Sequence, residues 1–277
     1  NASALPFNGN MGEVTSLVLP EKIRSFIDGR KYTTDRVGMS GGNVILFDDM
    51  ALKIEKQSRE TENSYEIMKW LEGKLPVPGI ISHEVENGID YMLMTKIGGE
   101  MSCDDRYMKD PRQLTSILAD GIKMLWSVDI SDCPCGSGLD VKLKEARYRV
   151  ENNLVDIENV EPDTYGENGF ESPAHLLEWL ESNRPSEEKV FSHGDYCLPN
   201  IFVRGGKISG FIDLGRAGTA DLWQDIALCW RSLEHNFSGK YTGMKYDGYD
   251  TDMLFESLGI KPDWDKIRYY ILLDELF

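Results

Sequence analysis

One stretch limits what this chain can become more than any other: His193-Gly194-Asp195-Tyr196-Cys197-Leu198-Pro199-Asn200-Ile201-Phe202-Val203, then Arg204-Gly205-Gly206-Lys207, then Gly210-Phe211-Ile212-Asp213-Leu214-Gly215. A loop carrying Asp195 and Asn200 runs into β-prone residues, a tight Gly-Gly turn and a second β-prone run that ends at Asp213. Phosphoryl transfer asks a protein for little covalent help; it needs a carboxylate beside the acceptor hydroxyl and ligands that hold a metal on the phosphates. Asp195 and Asn200 lie on one loop, which can offer both an acceptor for the hydroxyl proton and a neutral metal ligand. Asp213 adds the hard anionic oxygen that Mg²⁺ prefers. Taken singly, Asp and Asn are also ordinary turn residues that cap backbone groups. The signal is the joint pattern, His-x-Asp-x-x-x-x-Asn followed by a hairpin and Ile-Asp-x-Gly.

The rest of the chain supplies a frame for this island. Val44 to Phe47 and Ala51 to Ile54 are β-prone runs separated by Asp48-Asp49, a hairpin signal. Glu60 to Glu72 carries Tyr65, Met68 and Leu71 near helical spacing and stops at Gly73 and Pro76. Val77 to Ile97 reads as short strands broken at Asn87-Gly88. Helical patterns then cover 111–128, 143–155, 173–181, 221–233 and 262–276, interrupted by a β-rich island over 190–212 that reads as two strand pairs around Arg204-Gly205-Gly206-Lys207. The expected fold class is α+β: a small β-rich N-lobe of sheet plus one helix over 11–97, and a larger, mostly helical C-lobe over 98–277. Residues 1–10 precede Met11 and are left out of that expectation.

Within the N-lobe, Ala51-Leu52-Lys53-Ile54 sets one cation in an apolar β-run, where an unpartnered lysine is costly. It is either an edge charge or a group with a specific anionic partner. Upstream, Gly38-Met39-Ser40-Gly41-Gly42-Asn43-Val44 can fold backbone N–H groups over phosphates, though it is neither G-x-G-x-x-G nor a P-loop.

With these residues in view, the chain resembles the aminoglycoside 3′-phosphotransferases, members of the kinase-like small-molecule phosphotransferases. The likeness runs from about residue 30 to Phe277. Beyond the catalytic loop it covers Trp70-Leu71-Glu72-Gly73-Lys74-Leu75-Pro76-Val77-Pro78, Asp129-Ile130-Ser131-Asp132-Cys133-Pro134, Asp213-Leu214-Gly215-Arg216 and Leu272-Leu273-Asp274-Glu275-Leu276-Phe277. The resemblance implies a bilobal protein-kinase-like fold, Asp195 as catalytic base, Asn200 and Asp213 as magnesium ligands, and Lys53 on the α- and β-phosphates of ATP or GTP. It also implies that the Ser40 loop covers the phosphates. The connector Thr95-Lys96-Ile97-Gly98 is expected to read the adenine through backbone groups, with Thr95 and Ile97 in contact.

Two departures from the family pattern stand out. Ala51 occupies a position where relatives often stack an aromatic residue on the base. Counting back from Trp70, Ser64 occupies the helix position of the glutamate that pairs with the phosphate-binding lysine. Glu62 and Glu66 sit two residues to either side, roughly 200° around the helix, so neither replaces it without a change of register.

At the substrate end, the last helix is expected to start at an Asp263 N-cap and to finish with Asp274, Glu275 and Phe277. Anions at a helix C-terminus oppose its dipole by about 0.3–1 kcal/mol each, so the cluster needs an external cation or tolerates the penalty. On resemblance these acids, with the terminal carboxylate if the chain ends at Phe277, hold the ammonium groups of an aminoglycoside. Arg216 then organises them or the catalytic loop. Glu158, Glu161, Asp163 and Glu167 are candidates for an opposite wall, and His235 falls where relatives place an acid. His193 is expected to brace the loop.

The formal charge of −17 disfavours a nucleic-acid partner and would draw a polycation toward any cleft where acids converge. No apolar run approaches the roughly 20 residues that span a bilayer, so a cytoplasmic protein without a membrane partner is expected. The five cysteines read as scattered reduced thiols. The expected activity is transfer of the γ-phosphate of ATP or GTP, with Mg²⁺, to the 3′-hydroxyl of an aminoglycoside. The alternatives are a kinase for another small amine or sugar, and a nucleotide- or antibiotic-binding pseudoenzyme. A protein kinase fits less well, since Ile-Asp-Leu-Gly stands in place of D-F-G and no A-P-E follows.

Overall fold

The structure, a computed structural model, describes residues 5–6, 16–17, 19–35 and 43–277. Ser40 and the rest of the expected phosphate loop from Gly38 to Gly42 lie outside the described residues. In chain order the first elements are β1 (Leu5–Pro6), β2 (Ser16–Leu17), α1 (Glu21–Ile27), β3 (Thr33–Asp35), β4 (Asn43–Leu46) and β5 (Met50–Lys56). They are followed by α2 (Arg59–Leu71), β6 (Ile80–Glu86) and β7 (Ile89–Thr95).

Strands β3 to β7 form an antiparallel five-stranded sheet in the order β3-β4-β5-β7-β6. Along β5, Met50, Leu52 and Ile54 are buried while Ala51, Lys53 and Glu55 face the other way, the period of two that a half-buried strand requires. The buried set joins Ile23 and Ile27 of α1 and Leu93 of β7 in a small apolar core. Each fully buried aliphatic side chain there stabilises the fold by about 1.5–3 kcal/mol. α1 is not among the expected helices, so the segment 11–97 holds two helices rather than one.

Helix α2 starts where Ser58 and Thr61 cap each other reciprocally, at 3.2 and 3.0 Å, an arrangement worth about 1 kcal/mol. Its buried Ile67, Met68 and Leu71 pack into the larger core of the helical part and not into the sheet's own core. The two sequence runs at Trp70 and Asp132 meet here, Trp70 Nε1 donating to Asp132 Oδ1 at 3.0 Å.

The chain continues through β8 (Glu100–Met101), α3 (Asp105–Met108), α4 (Pro111–Trp126), α5 (Leu139–Glu151) and α6 (Pro173–Ser182). Then come β9 (Lys189–Ser192), β10 (Ile201–Arg204), β11 (Lys207–Phe211), β12 (Gly218–Asp221), α7 (Leu222–Ser238), α8 (Met253–Leu258) and α9 (Trp264–Asp274). The expected two strand pairs over 190–212 are one hairpin only. β10 and β11 pair with each other and with β8, while β9 leaves the island to pair with β12. Both turn glycines of the hairpin, Gly205 and Gly206, take positive φ (59° and 75°), the conformation a two-residue hairpin loop demands. α9 is capped by Asp263, whose carboxylate accepts from the Lys266 N–H at 3.0 Å, as its sequence predicts. No helix among the described residues is long and apolar enough to cross a membrane.

Candidate active site

The loop between β9 and β10 is built from the inside outward. Asp225, fully buried in the first turn of α7, accepts hydrogen bonds from Ser192 Oγ (3.0 Å), the His193 N–H (2.8 Å) and the Gly194 N–H (3.0 Å). Burial pushes its carboxyl up from the ordinary value, against the pull of His193 and these donors. Gly194 has φ +81°, and a Cβ there would lie 2.0 Å from the Arg216 carbonyl oxygen, so only glycine fits. The Asp195 N–H donates to His193 Nδ1 at 3.3 Å and His193 Nε2 lies 2.9 Å from the Ile212 carbonyl. With Nδ1 facing a backbone donor and Nε2 facing a backbone carbonyl, the ring is held at both nitrogens and serves as a brace.

This bracing brings Asp195, Asn200 and Asp213 together. The Asn200 amide donates to the carbonyl and to Oδ2 of Asp195, both at 3.0 Å. Ile212, the residue before Asp213, donates its N–H to the Asn200 carbonyl (3.0 Å) while its own carbonyl meets His193. Asp213 itself has φ 63°, a left-handed conformation that costs a non-glycine residue on the order of 1–3 kcal/mol and that turns its side chain toward the sheet.

There Asp213 Oδ1 meets Lys53 Nζ at 2.7 Å, with Glu55 Oε2 3.1 Å from the same nitrogen. Burial works against the charge on Lys53, yet Asp213 and Glu55 together raise its pKa above the usual lysine range. Burial likewise opposes ionisation of Asp213, and Lys53 above all holds its carboxyl below the ordinary value. The side chain is nonetheless 35 % exposed, recessed among protein groups but open to solvent on one side. Among the described residues no donor reaches Asn200 Oδ1 or Asp213 Oδ2. A neutral amide oxygen and a carboxylate oxygen are hard donors of the type Mg²⁺ takes, so this pair fits the ion.

The connector is partly committed. The Thr95 N–H donates to the Gly79 carbonyl (2.9 Å) and Thr95 Oγ1 accepts from the Gly79 N–H (2.8 Å). Ile97 has no hydrogen-bond partner for its N–H or carbonyl among the described residues.

At the other end of the site, the acids of α9 do not wait for an outside cation. Asp274 is paired with Arg231 at hydrogen-bond contact and with Arg216 Nη1 at 3.3 Å; Glu275 Oε1 lies 3.4 Å from Arg231 Nη1. Burial disfavours the Asp274 charge, but Arg231 and Arg216 keep its carboxyl below the usual range. For Glu275 burial wins over Arg231 and pushes the carboxyl up to about 7. Arg216 also reaches Glu60 of α2 (3.1 Å) and sits over the Phe277 ring, 5.3 Å from its centroid. Of the candidate opposite wall, only Glu161 joins the site: its N–H donates to Glu275 Oε2 (3.0 Å), and its carboxylate meets His235 (2.8 Å) and Lys240 (2.9 Å). Glu158, Asp163 and Glu167 are exposed.

Residues 39–270 match the model of the phosphotransferase enzyme family. The chain is 40 % identical to an aminoglycoside 3′-phosphotransferase of Enterococcus faecalis over 94 % of its own length and 98 % of the relative's. It belongs to that family. A second such relative, from Staphylococcus aureus, is also 40 % identical, over 94 % and 95 % of the two chains. Among solved structures, an aminoglycoside 3′-phosphotransferase of type VIII superposes with a TM-score of 0.77 at 24 % identity, covering 92 % and 97 % of the two chains. An aminoglycoside phosphotransferase of Streptomyces rimosus, solved with ADP and streptomycin, gives 0.74 at 22 % identity, covering 92 % and 95 %. The chain is therefore an O-phosphotransferase with the bilobal kinase-like α+β fold.

Three residues of this aminoglycoside 3′-phosphotransferase site escape its sequence. Asp225 lies 31 positions from the Gly194 N–H that it holds. Arg231, one residue of the helical pattern over 221–233, supplies the cation for α9. Glu55 is one acid among many until the pleat places it beside Lys53.

Proposed function

We propose that the enzyme transfers the γ-phosphoryl group of ATP or GTP to the 3′-hydroxyl of an aminoglycoside and so confers resistance to it. One observation carries the reading: the Asp195–Asn200 contact at 3.0 Å and the Lys53–Asp213 contact at 2.7 Å are tied to each other through Ile212. The relatives named as aminoglycoside 3′-phosphotransferases support the choice of acceptor.

Asp195 takes the proton of the 3′-hydroxyl as the sugar oxygen bonds to the γ-phosphorus. The bond from that phosphorus to the β,γ-bridging oxygen breaks, and the nucleoside diphosphate leaves. The Asn200 amide fixes the Asp195 carboxylate for this task. Lys53 places its charge on the phosphates, and Thr95 and Ile97 border the adenine, Ile97 through its unpaired backbone groups. Asn200 Oδ1 and Asp213 would hold Mg²⁺, which when bound neutralises charge on the phosphate oxygens. Asp274, Glu275 and Glu161 receive the ammonium groups of the substrate, with Arg216 and Phe277 shaping that wall. The need for a nucleoside triphosphate places the reaction in the cytoplasm.

Kanamycin, ATP and Mg²⁺ are expected to yield ADP and a product heavier by one phosphoryl group, while a 3′-deoxy analogue gives none. Asp195→Ala abolishes turnover with a modest loss of nucleotide binding. Phosphorylation of the 3′-deoxy analogue would refute the regiochemistry, and turnover by the alanine variant would refute the role of Asp195.

A further inference from the structure

Lys53 has two carboxylate partners, and they come from opposite sides. Asp213 reaches it from the segment that follows β11; Glu55 reaches it along its own strand, two residues on, where the pleat returns side chains to the same face. Glu55 is an odd residue for that position. Its side chain is 23 % exposed, it stands opposite Asp90 in the β5–β7 pairing, and Lys53 is its one ion-pair partner among the described residues. A recessed acid beside another acid costs stability unless a cation needs it.

Helix α2 offers Lys53 nothing comparable. The face of α2 turned to the segment after Asp213 carries Glu60, Asn63 and Ser64. Glu60 is spent on Arg216, and the Asn63 amide donates to the carbonyls of Gly215 (2.9 Å) and Ala217 (2.8 Å). Ser64, one turn beyond Glu60, finds only Met68 Sδ, at 3.8 Å, among the described residues. No carboxylate of α2 pairs with Lys53 among the described residues.

We propose that Glu55 is the positioning residue for Lys53, holding its ammonium in place for the phosphates once Asp213 turns to the bound nucleotide. The inference rests on the phosphotransferase reading above. A lysine has a flexible four-carbon stem, and without an anchor it would have to be ordered at each binding event. Glu55 does this from a rigid strand, and the anchor survives when the other partner is drawn away.

The test uses the full chain, ATP with Mg²⁺, and kanamycin. Glu55→Gln is expected to lower kcat/KM for ATP roughly tenfold to a hundredfold while KM for kanamycin stays within about twofold. Ser64→Glu places a carboxylate on the α2 face that looks toward the Asp213 loop; alone it leaves activity within about threefold, and in the Glu55→Gln background it restores most of the lost kcat/KM. Glu55→Asp, with a shorter arm, falls between the wild type and Glu55→Gln. Glu55→Gln that keeps wild-type kcat/KM for ATP overturns the inference, as does a loss that Ser64→Glu leaves unrepaired. A wild-type chain that phosphorylates nothing overturns the functional reading itself, which separates the two failures.

Discussion

Lys53 and Asp213, 160 positions apart in the chain, are joined by a charged hydrogen bond of 2.7 Å. The bond ties the five-stranded sheet to the segment after the β10–β11 hairpin, so Lys53 and the loop that carries Asp195 and Asn200 are linked as one unit. Because Asp213 also sits in a left-handed backbone conformation, its placement is over-determined by the hairpin behind it.

Removing the Asp213 charge should therefore stop the reaction without unfolding the protein. Asp213→Asn keeps the shape, loses the anionic oxygen and frees Lys53 from one partner. Turnover with ATP and kanamycin is expected to fall at least ~10²-fold, with the melting temperature within a few degrees of wild type. Chelation of Mg²⁺ by EDTA has the same effect on the wild type and is reversed by added Mg²⁺. Turnover within tenfold of wild type in the asparagine variant would remove Asp213 from the mechanism.

Asp225 makes a different kind of contribution. Its two oxygens accept three hydrogen bonds from the Ser192–Gly194 backbone and hydroxyl groups. Asp225→Asn turns one of those acceptors into a donor facing donors, and a buried unsatisfied group costs about 1–3 kcal/mol. Urea unfolding should show that loss, and the folded fraction should turn over roughly tenfold or more slowly because Asp195 is no longer aimed. An unchanged urea midpoint would show the carboxylate to be dispensable.

At Gly194 the constraint is steric. A Cβ would lie 2.0 Å from the Arg216 carbonyl oxygen, and that same oxygen already accepts from Ser137 Oγ at 2.7 Å, so it cannot retreat freely. With φ at +81°, Gly194→Ala is expected to cost about 2–3 kcal/mol or more, seen as a lower melting temperature. A neutral alanine variant would mean that the loop between β9 and β10 has slack.

What the sequence shows of this molecule divides along contact range. The Asn87-Gly88 and Gly205-Gly206 turns and the His193–Asn200 loop are legible because their determinants are adjacent in the chain. Helix α5 is harder. Its pattern suggests a start at Leu143, but the helix begins at Leu139, whose N–H is capped by Glu187 Oε1 at 2.9 Å from 48 positions away. No local signal announces that cap. α1, α3 and α8 run for 7, 4 and 6 residues, too short to show a helical period. β9 finds β12 across the catalytic loop, a pairing that only the closed fold creates. The acids of α9 were legible as a cluster, whereas their neutralisation by Arg216 and Arg231 depends on α7 and α9 packing together.

That packing gives Glu275 a titration that can be followed. Its folded-state pKa of about 7 stands above the ordinary 4.5, because burial outweighs Arg231 and the Glu161 N–H. A carboxyl raised in this way binds its proton more tightly in the folded state, so its contribution to stability is complete below the ordinary pKa. It is lost as pH climbs toward 7 and beyond, by on the order of 2–3 kcal/mol. Glu275→Gln cannot ionise and escapes the loss. Between pH 5 and pH 8 the melting temperature of the glutamine variant, measured against wild type without substrate, should therefore rise by about 4–8 °C. Kanamycin, by placing an ammonium group near the carboxylate, should shrink that difference at pH 8. A gap between the two proteins that stays constant from pH 5 to pH 8 would mean that Glu275 is already ionised at the lower limit and that Arg231 dominates its surroundings.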